Sequence, residues 1–99
     1  MYRFHRSGRV KNGKYTEAIT WAKEITEYVK AKYSRPLEVY MQVFGDFTTI
    51  HWLDEYKDLS TLESVMGQMM ADQQYWAVVN KGAQLFIDGS WNDTILSPI

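Results

Sequence analysis

The sequence predicts an α+β fold with elements in the order β-α-β-β-α-β, an antiparallel four-stranded sheet with two helices on one face. Three observations predict it. Two-residue alternation of apolar and polar side chains recurs near the start, middle and end of the chain, and helical spacing fills the stretches between. At 99 residues there is room for one domain and one core, so these elements must pack on each other.

Tyr2 and Phe4 alternate with Arg3 and His5, a strand that ends before Asn12-Gly13. From Lys14 the period lengthens. Tyr15, Ala18, Ile19, Ala22, Ile25, Tyr28 and Val29 make an amphipathic helix to about Tyr33, and Arg35-Pro36 ends it because the residue before proline is pushed out of the helical region. Residues 37–44 alternate, Gly45-Asp46 follows, and 47–54 alternate again. A type II′ turn at Gly45-Asp46 would then pair Phe44 with Phe47, Tyr40 with His51 and Glu38 with Leu53 on one face, and Met41 with Ile50 and Val39 with Trp52 on the other, core-facing side. Ser60 and Glu63 form a capping box, and Leu62, Val65, Met66, Met69, Met70, Gln73 and Trp76 give one helix to about Val79. Gly67 inside it is read as a close crossing over the sheet, with room for a ligand as the alternative. Residues 80–89 have no clear period, and Trp91 to Leu96 supply the last strand. This order is the ferredoxin-like arrangement.

Composition limits the function classes. The chain has no cysteine, which removes disulfides, thiolate nucleophiles and zinc–cysteine sites. Eleven Lys and Arg against twelve Asp and Glu argue against nucleic acid as a partner. No apolar run reaches the length of a membrane span, and the first residues lack a signal core, so no membrane partner and a cytoplasmic location are expected. Charge is uneven: residues 1–14 carry five basic side chains and no acid. That arm reads as a solvated edge strand or as a steering surface for anions.

The face of the hairpin turned away from the helices carries Tyr40, Phe44, Phe47 and Leu53 among polar neighbours, a pattern that marks an interface. Two such sheets related by a twofold axis would bury it. With this two-faced hairpin, this length and element order, and the stretch His51 to Leu59 ahead of a capped helix, the chain resembles the dimeric α+β barrel superfamily. That superfamily includes NIPSNAP-like proteins and cofactor-free antibiotic-biosynthesis monooxygenases. The resemblance covers nearly the whole chain and rests on pattern rather than on a diagnostic motif. It implies a homodimer, and a cavity between sheet and helices that takes a small apolar or aromatic molecule, with cofactor-independent oxygenase chemistry as one use of it. A non-catalytic interaction or sensing protein is the alternative.

His51 is the candidate catalytic residue, as a general base; it could equally be hydrogen-bonded to Tyr40 or held in the dimer interface. Tyr40, Trp52, Trp76 and His5 are the candidate ligand-binding residues. His5 and His51 should approach each other on adjacent strands, and with Asp54 or Glu55 could ligate a divalent metal. Neither a His-x-His nor an HExxH spacing is present, however, and no metal is assigned. Asp54, Glu55 and Asp58 form an acidic knot that suits a helix N-terminus as well as acid–base work. Trp21, Tyr28, Trp52, Tyr75, Trp76 and Trp91 could line a pocket or fill the core, and Met66, Met69 and Met70 would make a deformable wall. The RNP signature of RNA-recognition domains and the phosphate grip of acylphosphatases, which share the topology, are not recognisable. No phosphate-loop or dinucleotide fingerprint occurs, and no cofactor is expected.

Overall fold

A computed structural model describes residues 1–99. The elements are β1 (Tyr2–Arg9), α1 (Tyr15–Tyr33), β2 (Glu38–Met41), β3 (Thr49–Tyr56), α2 (Leu59–Met70), α3 (Gln73–Gly82), a single 3-10 turn (Ala83–Leu85) and β4 (Asn92–Leu96). The sheet order is β2-β3-β1-β4, with every neighbouring pair antiparallel. The three helices lie against one face. The basic arm is therefore not an edge: β1 is central, and its cations pair with acids brought from far along the chain, Arg3 with Glu55, Arg6 with Asp93 and Arg9 with Asp46.

The register between β2 and β3 is the one expected, with Tyr40 opposite His51 and Val39 opposite Trp52. The turn is not. Pairing stops at Met41, and residues 42–48 form a loop in which Asp46 accepts hydrogen bonds from the Thr48 backbone N–H (3.0 Å) and hydroxyl. That Asx-type turn competes with a two-residue hairpin. Gly45, at φ +82°, supplies a left-handed residue that only glycine adopts freely. Phe44 and Phe47 consequently do not pair. Phe44 is 89% exposed, and Phe47 leaves the sheet face to meet Tyr15 edge-on.

The second helical stretch is two helices. The N-cap of α2 is Asp58, which accepts from the Thr61 N–H at 2.7 Å, so the Ser60 capping box is not used. Asp72 then interrupts the stripe. Its carboxylate caps α3 through the N–H groups of Gln74 (3.0 Å) and Tyr75 (3.2 Å), so α3 starts afresh there. Gly67 meets nothing at its Cβ position and faces open space; the close crossing expected there is absent. The close approach falls instead at Gly82, against the ring of Trp21. Residues 83–89 dock on the end of β1, where Val10 bridges Phe86 and the Ile87 N–H donates to the Arg9 carbonyl at 2.8 Å.

The core lies between sheet and helices and is built around Ile50, Trp52, Trp21, Ala18, Ala22 and Phe86, with a smaller cluster of Phe4, Tyr56 and Leu62 at its far end. No helix is long and apolar enough to cross a membrane.

Candidate functional site

The helix-facing side of the sheet does not close completely on the helices. A cavity of about 470 Å³ remains between them. Its sheet wall comes from alternate residues of the two central strands, Phe4 and Arg6 of β1 and Trp52, Asp54 and Tyr56 of β3, because a strand shows every second side chain to one face. Its helix wall comes from Trp21, Ile25 and Val29 of α1, the three methionines of α2, and Tyr75, Trp76 and Val79 of α3. All four tryptophans of the chain line it. Trp52 and Trp91 lie 5.8 Å apart, Trp21 meets Trp52 edge-on at 6.1 Å, and Phe86 backs Trp91 at 4.6 Å. Met70, Trp76 and Trp91 also reach solvent and mark the mouth.

Three indole N–H groups are held by the protein. Trp21 donates to the Val78 carbonyl (2.7 Å), Trp52 to the Thr26 hydroxyl (3.0 Å) and Trp76 to the Met70 carbonyl (2.9 Å). The tryptophan rings therefore present their faces and edges at fixed angles.

Three charged residues touch this apolar space. Asp54 is buried and committed: Arg35 binds it through Nε (3.0 Å) and a terminal N–H (3.1 Å), stacks over Tyr56 at 4.0 Å, and also donates to the Glu55 carbonyl. Burial, followed by the Asp54 charge, pushes the Tyr56 phenol up to about 12. Arg6 and Asp93 face each other across β1 and β4 as a bidentate pair at 2.7 and 2.9 Å, which raises the Arg6 pKa. The sequence reading missed Arg6 and Asp93, although the same alternation that turns Phe4 inward turns Arg6 inward.

The residues singled out from sequence divide between the two faces of the sheet. Trp52 and Trp76 line the cavity. His5, His51 and Tyr40 lie on the opposite face. His5 and His51 do approach, with Nε2 of His5 2.8 Å from Nδ1 of His51. Their rings are nearly coplanar (12°), with centroids 5.0 Å apart. The two ring nitrogens point at each other, a separation that admits a shared proton and leaves no space for a metal ion. Asp54 is on the other face, and Glu55 is paired with Arg3 at 2.7 Å. His51 does not bond Tyr40, which donates instead to Glu38 (2.8 Å); its Nε2 meets Gln42 Oε1 at 2.8 Å. Because the Gln42 amide nitrogen donates to the Phe44 carbonyl, its oxygen must accept from His51. His51 Nδ1 then accepts from His5. Burial, and next the neighbouring His5, lower the His51 pKa.

Beneath the α2–α3 junction, Asp72 accepts from the hydroxyls of Tyr28 and Tyr33, each at 2.6 Å, and pairs with Lys32 at 3.1 Å. Those hydrogen bonds hold its carboxyl well below the usual carboxylate range. Tyr28 thus belongs to a capping cluster rather than to the cavity, and the acidic knot disperses into Asp54 with Arg35, Glu55 with Arg3 and Asp58 as a helix cap.

The sequence profile of the NIPSNAP family matches residues 5–99. A NIPSNAP family protein of Agrobacterium tumefaciens superposes with a TM-score of 0.84 at 20% identity, over 99% of this chain and 92% of that one. An uncharacterised NIPSNAP domain protein of Burkholderia xenovorans superposes with 0.84 at 19%, over 100% and 95%. A putative antibiotic biosynthesis monooxygenase of Deinococcus radiodurans has a TM-score of 0.74 at 10% identity, over 100% and 93%. No curated protein matches the sequence.

Proposed function

We propose that this chain, which belongs to the NIPSNAP family, binds a small, largely apolar or aromatic molecule between its sheet and its helices, and does so as a homodimer. The observation that carries the reading is the cavity itself. Its volume is in the range of small-molecule sites, and its lining of aromatic side chains with a few placed polar groups is their usual composition.

Binding is favoured over acid–base catalysis by the state of the polar groups. Asp54 and Asp93 are each tied to an arginine, and Tyr56 is shifted away from neutrality. His51, the expected base, is separated from the cavity by the sheet. Cofactor-independent oxygenase chemistry is the catalytic form of the proposal, and its support is the fold similarity to the monooxygenase. A ligand-binding or sensing role agrees better with the cavity's chemistry.

Support for the dimer is the outer face of the sheet, where Tyr40 and Leu96 are about half exposed beside Leu53, and Phe44 stands free at the margin. Native mass spectrometry of the purified protein tests both halves. A species at twice 11.6 kDa, with additional mass when an aromatic probe such as 2-naphthol is present, is the expected result. A monomer at micromolar concentration contradicts the assembly, and a dimer that never takes up the probe contradicts the binding site.

A further inference from the structure

The polar groups that line the cavity differ in what they have left to offer, and the Arg6–Asp93 pair is partly open to solvent, at 32% and 49% exposure. Both carboxylates are engaged, Asp54 by Arg35 and Asp93 by Arg6. Arg6 spends two of its five N–H donors on Asp93, through Nε and one terminal nitrogen, which pins one edge of the guanidinium and leaves the other edge unpaired by that contact. Tyr75, 4% exposed, lines the same cavity as Arg6. No hydrogen bond engages the Tyr75 hydroxyl, so its proton is free to donate. Arg6 and Tyr75 therefore offer donors among flat apolar walls.

We propose that Arg6 and Tyr75 form a specificity subsite for a neutral acceptor oxygen, a ring or side-chain carbonyl, on an otherwise apolar aromatic ligand whose rings lie among Trp21, Trp52, Trp76 and Trp91. This rests on the binding role of the cavity proposed above. Neutral is preferred to anionic because Asp93 already balances the Arg6 charge and would oppose a second carboxylate.

Isothermal titration calorimetry with three probes of similar size tests the subsite: 2-acetylnaphthalene, 2-ethylnaphthalene and 2-naphthoate. The expected result is that the ketone binds about tenfold more tightly than the hydrocarbon, the scale of a hydrogen bond to a charged group. Arg6→Met should bring the ketone-to-hydrocarbon affinity ratio, measured within the variant itself, to about one, and Tyr75→Phe, which keeps the ring in place, should reduce it. Equal binding of ketone and hydrocarbon by the native protein overturns the subsite but leaves the cavity reading standing. Tightest binding of 2-naphthoate overturns the neutral-acceptor assignment. If none of the three binds, the cavity reading itself fails, and the subsite with it.

Discussion

Trp21 and Gly82 compete for one volume: a Cβ at position 82 would fall on the indole ring, which cannot withdraw because its N–H is held by the Val78 carbonyl at 2.7 Å. The contact joins α1 to the end of α3, and both helices line the cavity. The backbone at Gly82 is ordinary (φ −105°), so the requirement is for space and not for conformation.

Gly82→Ala should therefore destabilise the protein by about 1–3 kcal/mol through overpacking. Urea denaturation followed by tryptophan fluorescence would measure it. Gly67→Ala makes an internal control, since Gly67 sits in a helix facing open space. It should stabilise slightly, by up to about 1 kcal/mol, from helix propensity.

Asp72 predicts the acid limb of stability. Its folded pKa lies below the unfolded value of about 3.9. The stabilisation it brings is therefore complete above about pH 4 and is lost as pH falls through that value toward the folded one. Asp46 and Asp58 shift in the same direction. Asp72→Asn should lower stability at pH 7 and flatten the loss as pH falls below about 4 in thermal melts. An unchanged acid limb would mean the cluster with Tyr28 and Tyr33 contributes nothing to folding.

Tyr33 predicts the alkaline limb. Burial and then its bond to Asp72 raise its phenol to about 12. A raised pKa contributes stability that is full below about pH 10, the unfolded value, and is lost as pH rises toward the folded one. Tyr33→Phe should remove that part of the loss between pH 10 and 12, read by the same melts.

The two histidines predict a response near neutrality. His51 has both ring nitrogens engaged when neutral, so its protonation breaks the bond from His5. Its folded pKa is below the unfolded value near 6.5, and the stabilisation is lost as pH falls from there. Proton NMR should show the His51 ring titrating below 6.5, and His51→Gln should remove the corresponding loss of stability between pH 7 and 5.

What could be seen in the sequence followed from periodicity. Strand parity placed Trp52 on the helix side and paired Tyr40 with His51; helical spacing put Trp76 and the methionines of α2 on one stripe. What was hidden depended on side chains acting on backbone. The carboxylate of Asp46 converts a two-residue turn into a loop, and Asp72 splits one apolar stripe into two helices. A stripe of apolar residues does not register such a break, although an Asp followed by Gln73 and Gln74 is a capping signal. Arg6 was obscured for another reason. Charge counted along the chain grouped it with Arg3 and Arg9, whereas parity separates it from both and turns it toward Asp93.

The central claim is that the space between sheet and helices is the binding site, and the four indole N–H groups report on it directly because all four tryptophans line it. A nitrogen–proton correlation spectrum recorded during titration with 2-acetylnaphthalene should move the indole signals of Trp52, Trp76 and Trp91, with the ring protons of His5 and His51 unchanged. Indole signals that stay fixed while the histidine face responds would contradict it.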